Sequence, residues 1–252
     1  MSAEIRMERM TSPEIGAAIE AGVTTVVVAA GAVEQHGPHL PLFMDAEHGD
    51  RLAVEIARRL GGSLVAPTIR VGWSAHHMAF SGTVSLEKDT FLAVCHDYCV
   101  SLAHHGFRRV CLLPSHGGNF APLAEAREAF NEAAGPGCSV DVYSDLIEVI
   151  GTWREIAEAE AGLGARVGGH ADIAETSIMM AIHAGLVREE LAACGQLTTP
   201  AEEPELIRRV LSEGFKSVTP NGILGDARGA TADLGEKMIT VLADRIAAHF
   251  AG

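Results

Sequence analysis

The chain has 252 residues, 48% of them hydrophobic but only 5% aromatic, and a formal net charge of −14. A surface this acidic repels phosphate backbones and anionic lipid headgroups, which argues against a general nucleic-acid or membrane role. No apolar run reaches the roughly 18 residues of a membrane span, and the opening MSAEIRMERMTSPEIG lacks the apolar stretch of a signal peptide.

Strand and helix signals then alternate along the chain. Residues 24–31, TTVVVAAG, form a short β-branched run that predicts a buried parallel strand. Residues 46–60 follow with Leu52, Ile56 and Leu60 at helical spacing. GGSLVAPTI carries a second strand, 88–105 a long helix, 108–114 a third strand, and SHGGN leads into a helix from about Ala121. SVDVYS (139–144) predicts a fourth strand, and 145–161 is again helical. After the Gly-rich AGLGARVGGH comes a helix at 172–184. Residues 195–222 are less regular and read as a surface excursion or subunit contact. Residues 231–250 close the chain with an amphipathic helix bearing Leu234, Met238, Val241, Leu242 and Ile246 on one face. This alternation predicts an α/β fold over a single domain, 1–252, with a mostly parallel sheet and helices on both faces. The five cysteines (Cys95, Cys99, Cys111, Cys138, Cys194) are scattered, odd in number and form no CxxC pair. That pattern points to reduced structural thiols and a cytoplasmic setting.

Three clusters carry chemistry. GAVEQHGPHLPLFMDAEHGD (31–50) starts where the first strand ends, the place where open parallel sheets bind ligands. It holds Glu34, His36, His39, Asp45, Glu47 and His48, a carboxylate and imidazole set suited to Zn²⁺, Mn²⁺ or Fe²⁺. A solvated polar loop would have a similar composition. The second cluster, Ser115-His116-Gly117-Gly118-Asn119, lies at the end of another strand and points into the same crevice. In the third, His170 stands at a helix mouth and Glu175 lies in an otherwise apolar helix, where a buried carboxylate needs a partner. A cation would supply one; a salt bridge or solvent exposure would also do.

EQHGPHLP (34–41), Asp45, SHGGN (115–119) and HADIAETS (170–177) together resemble the creatininase family of metal-dependent amidohydrolases. SAHHMAFSGT (74–83) is similar to that family's S-x-E-H-M-x-F-P-G-T stretch, with His76 and Ser81 as departures. GILGD (222–226) followed by ATA (230–232) is similar to its G-x-x-G-D…A-T-A element. The likeness runs from about 20 to 245 and implies a three-layer αβα sandwich. It implies two divalent ions (Zn, Mn or Fe), one held by Glu34, Asp45 and His116, the other by His36 and a bridging Asp45. The family's further glutamate, two residues after the second histidine, is here Gly118; Glu175 is the candidate replacement. His170 would shuttle a proton to the leaving nitrogen, with Glu175 orienting it if Glu175 is not a ligand. His39 and His48 would support the ligands, while His77, Asn119 and Trp153 would meet substrate. Trp73 would line the cleft or the core, and Arg166 would meet a substrate carboxylate or solvent.

The activity implied is cleavage of a C–N bond in a small cyclic or linear amide. The alternatives are a C–C or ring-opening hydrolase of an inosose type, a peptidase acting on a cofactor-precursor peptide, or metal binding without turnover. Creatinine itself is disfavoured, because the family's second flap tryptophan has no counterpart beside Arg166. A homo-oligomer, often a hexamer, is a further implication of the resemblance.

Overall fold

In the computed structural model, which describes residues 4–252, the first regular helix is α1 (Ser12–Glu20). It is entered through a Thr11–Glu14 capping box with Pro13 in its first turn. Strand β1 (Thr25–Ala30) follows, then α2 (Met44–Leu60), β2 (Ser63–Val65), α3 (Lys88–His104), β3 (Arg109–Pro114), α4 (Gly117–Ala134), β4 (Ser139–Val142) and α5 (Leu146–Ala161). Strand β5 (Val167–His170), α6 (Ile173–His183), α7 (Glu203–Glu213), α8 (Phe215–Val218), β6 (Leu224–Gly225) and α9 (Ala232–Ala251) complete the order.

The four-stranded sheet runs β2-β1-β3-β4, every pair parallel. Its alternating side chains define two cores. Val26, Val28, Ala30, Val110 and Leu112 face a layer containing Phe91, Cys95 and Leu102 of α3 and Leu123 of α4. Val27, Ala29, Cys111 and Leu113 face the other layer, built from α2, α5, α6 and α9. The expected sandwich, a parallel sheet between two helical layers, is therefore the observed fold. Helix α9 docks through Leu234, Met238, Leu242 and Ile246, all buried. Each such side chain contributes about 1.5–3 kcal/mol of burial.

Two regions depart from expectation. The Gly-rich stretch before α6 contains β5, which pairs antiparallel with β6 in a separate ribbon. Residues 195–222 contain two helices, and Phe215 of α8 is buried against the site described below. All five cysteines are free, with only Cys194 exposed. No helix among the described residues is long and apolar enough to cross a membrane.

Candidate metal centre

The carboxyl ends of β1 and β3 are neighbours, Ala30 pairing with Pro114. The chain leaving β1 carries Glu34 and His36, and the chain leaving β3 carries His116 as the N-cap of α4. Asp45 stands in the first turn of α2. From the other ribbon, His170 ends β5 and Glu175 lies in the first turn of α6. His77 comes from the turn 75–77. All seven side chains are buried, Glu34 and His36 completely.

They converge. His116 Nδ1 lies 3.2 Å from Glu34 Oε1 and 3.3 Å from Asp45 Oδ2. His36 Nε2 is 3.2 Å from Asp45 Oδ1 and 3.6 Å from Glu175 Oε2. His77 Nε2 is 3.3 Å from Glu34 Oε1, and His170 Nδ1 is 3.9 Å from Glu34 and 4.0 Å from Glu175. Three triples, Glu34–His36–Asp45, His36–His170–Glu175 and Glu34–His77–His170, each gather one ligand atom per residue within 4.8 Å of one another.

The outward nitrogens fix the tautomers. His36 Nδ1 donates to Glu34 O at 3.1 Å, His116 Nε2 to Trp73 O at 3.1 Å, and His170 Nε2 to Gln35 O at 2.9 Å. In the neutral ring the other nitrogen then carries a lone pair aimed at the carboxylates, the arrangement metal-ligating histidines adopt. Neither oxygen of Glu34 accepts a well-aligned hydrogen bond, and Asp45 Oδ2 is also unpartnered. Buried carboxylate oxygens without partners are costly. Together with the facing imidazoles they form a donor set that fits divalent cations.

Electrostatics within the metal-free cluster point the same way. Burial opposes a charge on His36, but Asp45 and Glu175 outweigh it and lift its pKa to about 10. His116 is likewise raised by Glu34 and Asp45 against burial. Burial would raise Asp45, yet His36 and His116 hold it well below the usual carboxylate range. Burial pushes Glu175 up to about 8. His170 and His77 are held neutral, chiefly by burial and then by neighbouring imidazoles. Two protonated rings thus stand where the carboxylates ask for positive charge.

The strand-to-helix corner aims His170. Ala171 adopts a left-handed backbone, φ 52°, unusual for a residue with a Cβ. Its N–H donates to Glu175 Oε2 at 2.5 Å. The fully buried Asp172 accepts four backbone N–H groups, from Gly168 (2.7 Å), Gly169 (2.8 Å), Ala174 (2.8 Å) and Glu175 (3.1 Å). Asp172→Ala removes the helix cap and strands these donors, so it is expected to cost roughly 2–4 kcal/mol in chemical denaturation. Asp172→Asn should retain part of that stability.

Gly118, where the family resemblance implies a glutamate, has no room for a side chain. A Cβ there would stand 2.6 Å from His116 Nε2 and 2.7 Å from both His76 Cε1 and Trp73 O. His76 stacks on His116 (rings 5.5 Å apart, 11° between planes), so its imidazole fills that space. Glu175 instead brings a second carboxylate to His36, beside Asp45.

Other expected residues fall as follows. His77 and Trp153 line the cleft over the cluster. Asn119, expected to meet substrate, has a fully buried amide that donates to Ala30 O and Gly31 O and accepts from Trp73 N. It ties the first turn of α4 to the end of β1. His39 bonds Thr176 Oγ1 at 2.8 Å, while His48 borders the cleft. Arg166 donates to Arg228 O and faces Asp226, away from the cleft. Trp73 packs edge-on to His76.

Two further residues, Gln35 and Phe215, shape the site. Gln35 Nε2 lies 3.1 Å from His77 Nδ1 and 3.3 Å from Gly222 O, and Gly37 N donates to its Oε1. A Cβ on Gly222 would fall 2.0 Å from Gln35 Oε1, so this contact demands glycine. Phe215 packs its ring on His77 (4.2 Å) and His170 (4.5 Å). The EQH motif advertised Gln35, but nothing in 195–222 marked Phe215.

Known proteins share this arrangement of chain. The family model Creatininase, described as creatinine amidohydrolase, matches residues 8–250. The mycofactocin precursor peptide peptidase of Mycolicibacterium smegmatis is 32% identical over 237 residues, 89% of this chain and 85% of that protein. The creatinine amidohydrolase of Pseudomonas putida is 27% identical over 201 residues, 74% of this chain and 75% of that one. A crystal structure of creatinine amidohydrolase superposes with a TM-score of 0.77 at 25% identity, covering 98% of this chain and 97% of that one. Creatininase structures described as Zn-Zn and Mn forms align with TM-scores of 0.72 and 0.74, at 24% and 23% identity, each over 98% of this chain and 97% of its own. With the fold, the converging side chains and a family match over nearly the whole length in agreement, the chain belongs to the creatininase family.

Proposed function

We propose that this protein is a binuclear metal-dependent hydrolase that cleaves the C–N bond of an amide. The observation that carries the reading is the fully buried Glu34, its oxygens unpartnered and ringed by His77, His116 and His170. Glu34, Asp45 and His116 would hold one cation; His36, Asp45 and Glu175 would hold the other. When bound, two such cations lower the pKa of water toward neutrality and polarise the scissile carbonyl. The chain's own groups do the rest. His170, neutral and tied through Nε2 to Gln35 O, has Nδ1 free to take a proton from the attacking water and return it to the leaving nitrogen. Phe215 covers His77 and His170 and keeps bulk water from them. His77 and Trp153 border the space where substrate would lie. The metals would be Zn or Mn, in keeping with the Zn-Zn and Mn forms of solved creatininases, or Fe, which suits the same carboxylate and imidazole donors.

A peptide bond within a short peptide is the second reading, favoured by the 32%-identical relative named as a peptidase. The same proposal takes the protein as a cytoplasmic homo-oligomer, in keeping with its free thiols.

The test is hydrolysis of a panel of lactams, formamides and short peptides by Zn- or Mn-loaded protein, read as released amine. Activity should vanish with chelator and return with metal. His170→Ala should lower kcat by about 10²–10⁴-fold with metal content unchanged. Turnover indifferent to chelator, or no amine from any member of the panel, counts against the reading.

A further inference from the structure

The cleft over the metal ligands encloses about 890 Å³ of empty space, its open mouth included, and its walls are unlike. The floor is the cluster of carboxylates and imidazoles. The facing wall is aliphatic and aromatic: Val149, Ile150 and Trp153 from α5, Leu242 from α9, and Val210 and Phe215 from α7 and α8. Among the described residues, no lysine or arginine lines it. The arginines nearest in sequence to those wall residues are committed elsewhere, Arg154 to Glu203, Arg209 to Glu213, and Arg245 to Thr152 and Glu155. A ligand carboxylate or phosphate on this wall would be desolvated with no cation to meet it. An apolar group would displace water at no such cost.

Two polar groups interrupt the wall. Trp153 Nε1 and both ring nitrogens of His48 are buried and have no hydrogen-bond partner. The rings lie 5.7 Å apart, and both residues border the cleft. The indole can only donate, so it calls for an acceptor oxygen; His48, through one nitrogen or the other, can join the same oxygen.

Resting on the hydrolase reading, we propose that the natural substrate is an amide whose scissile bond is flanked by a bulky, uncharged apolar group, branched aliphatic or aromatic. That group fills the α5–α9 wall and ends in a single oxygen met by Trp153 and His48. The wall thereby selects against small polar amides and against anionic ones.

Hydroxamates on the metal-loaded protein separate the wall from the metals, since the head group anchors to the cations and the tail explores the cleft. Affinities are measured by calorimetry alongside metal content. 3-Phenylpropanohydroxamate should bind about 30-fold or more tighter than acetohydroxamate. Its 4-hydroxyphenyl analogue should gain a further factor of about 5, lost in Trp153→Phe, which keeps a ring but removes the N–H. Succinic monohydroxamate should bind no tighter than acetohydroxamate. Val149→Phe, which narrows the wall, should erase the phenyl gain and leave acetohydroxamate affinity unchanged. Equal affinity for all tails, or preference for the succinic one, overturns the substrate class while the metal reading stands. Failure of acetohydroxamate itself to bind protein that carries no metal after loading overturns both.

Discussion

Glu34→Gln is expected to empty at least one of the two metal positions and to abolish turnover while leaving the protein folded. Among the described residues, Glu34 is the only carboxylate that lies within 4 Å of His77, His116 and His170 alike. Glutamine keeps the shape but removes the charge, and its NH₂ would face imidazole nitrogens where a cation should sit. Losing the stabilisation a cation gives to developing charge, several kcal/mol, corresponds to about 10³-fold or more in kcat/KM. Metal content by mass spectrometry should fall to about one ion per chain or less, because the Glu34–Asp45–His116 position is left with Asp45 as its one carboxylate while Glu175 remains beside His36. Glu34 belongs to neither of the hydrophobic layers on the two sides of the sheet, so circular dichroism should match the parent. Full activity in this variant would defeat the site assignment. Loss of metal with activity intact would defeat the mechanism.

The parts of this molecule legible in its sequence are those where local chemistry and burial agree. Strands β1 and β3 are β-branched or aliphatic runs buried on both faces, and both sit within a residue of expectation. Helices α2 and α9 carry clear 3.6-residue periodicity, and they, α3 and α5 fall likewise within two residues. The ribbon β5–β6 was not legible: Val-Gly-Gly-His and Leu-Gly have little strand propensity, and their pairing is imposed by tertiary contact. Helix α1 has a readable signature, the capping box Thr-Ser-Pro-Glu. The metal-facing residues emerged because they cluster at strand ends. Phe215 did not, since an aromatic in a short helix gives no sign of the histidines it will cover. Nor did the SHGGN turn show that the Asn119 amide would bind the backbone at the end of β1.

The pH dependence offers a test in which apo and metal-bound protein should move in opposite directions. Without metal, His36 has its pKa raised to about 10 by Asp45 and Glu175, and His116 is raised by Glu34 and Asp45. For both, the native state binds a proton more tightly than the unfolded chain. Their stabilisation is therefore complete below the unfolded value of 6.5 and drains away as pH climbs through the folded values. Burial raises Glu175 to about 8, so it too holds a native-state proton that the unfolded chain releases near 4.5, with the same sign. The depressed histidines, His170, His77, His76, His48 and His39, act oppositely but only below about 6.5. The buried thiols, raised by burial, enter only near pH 9. Between pH 7 and 8.5 the cluster alone should set the slope. In chelator, Tm should fall across that window by on the order of 5–10 °C. A divalent cation must displace the protons on His36 and His116, so its apparent affinity should tighten about tenfold per pH unit for each proton released. At fixed free Zn²⁺ the metal-induced rise in Tm should therefore grow over the window in which the apo protein weakens. Calorimetry in buffers of different ionisation enthalpy should register the released protons, and His36→Gln should flatten the apo slope. An apo Tm that holds level or climbs from pH 7 to 8.5 would mean that these imidazoles are not charged in the metal-free fold. The carboxylates around them would then have to be neutralised in some other way.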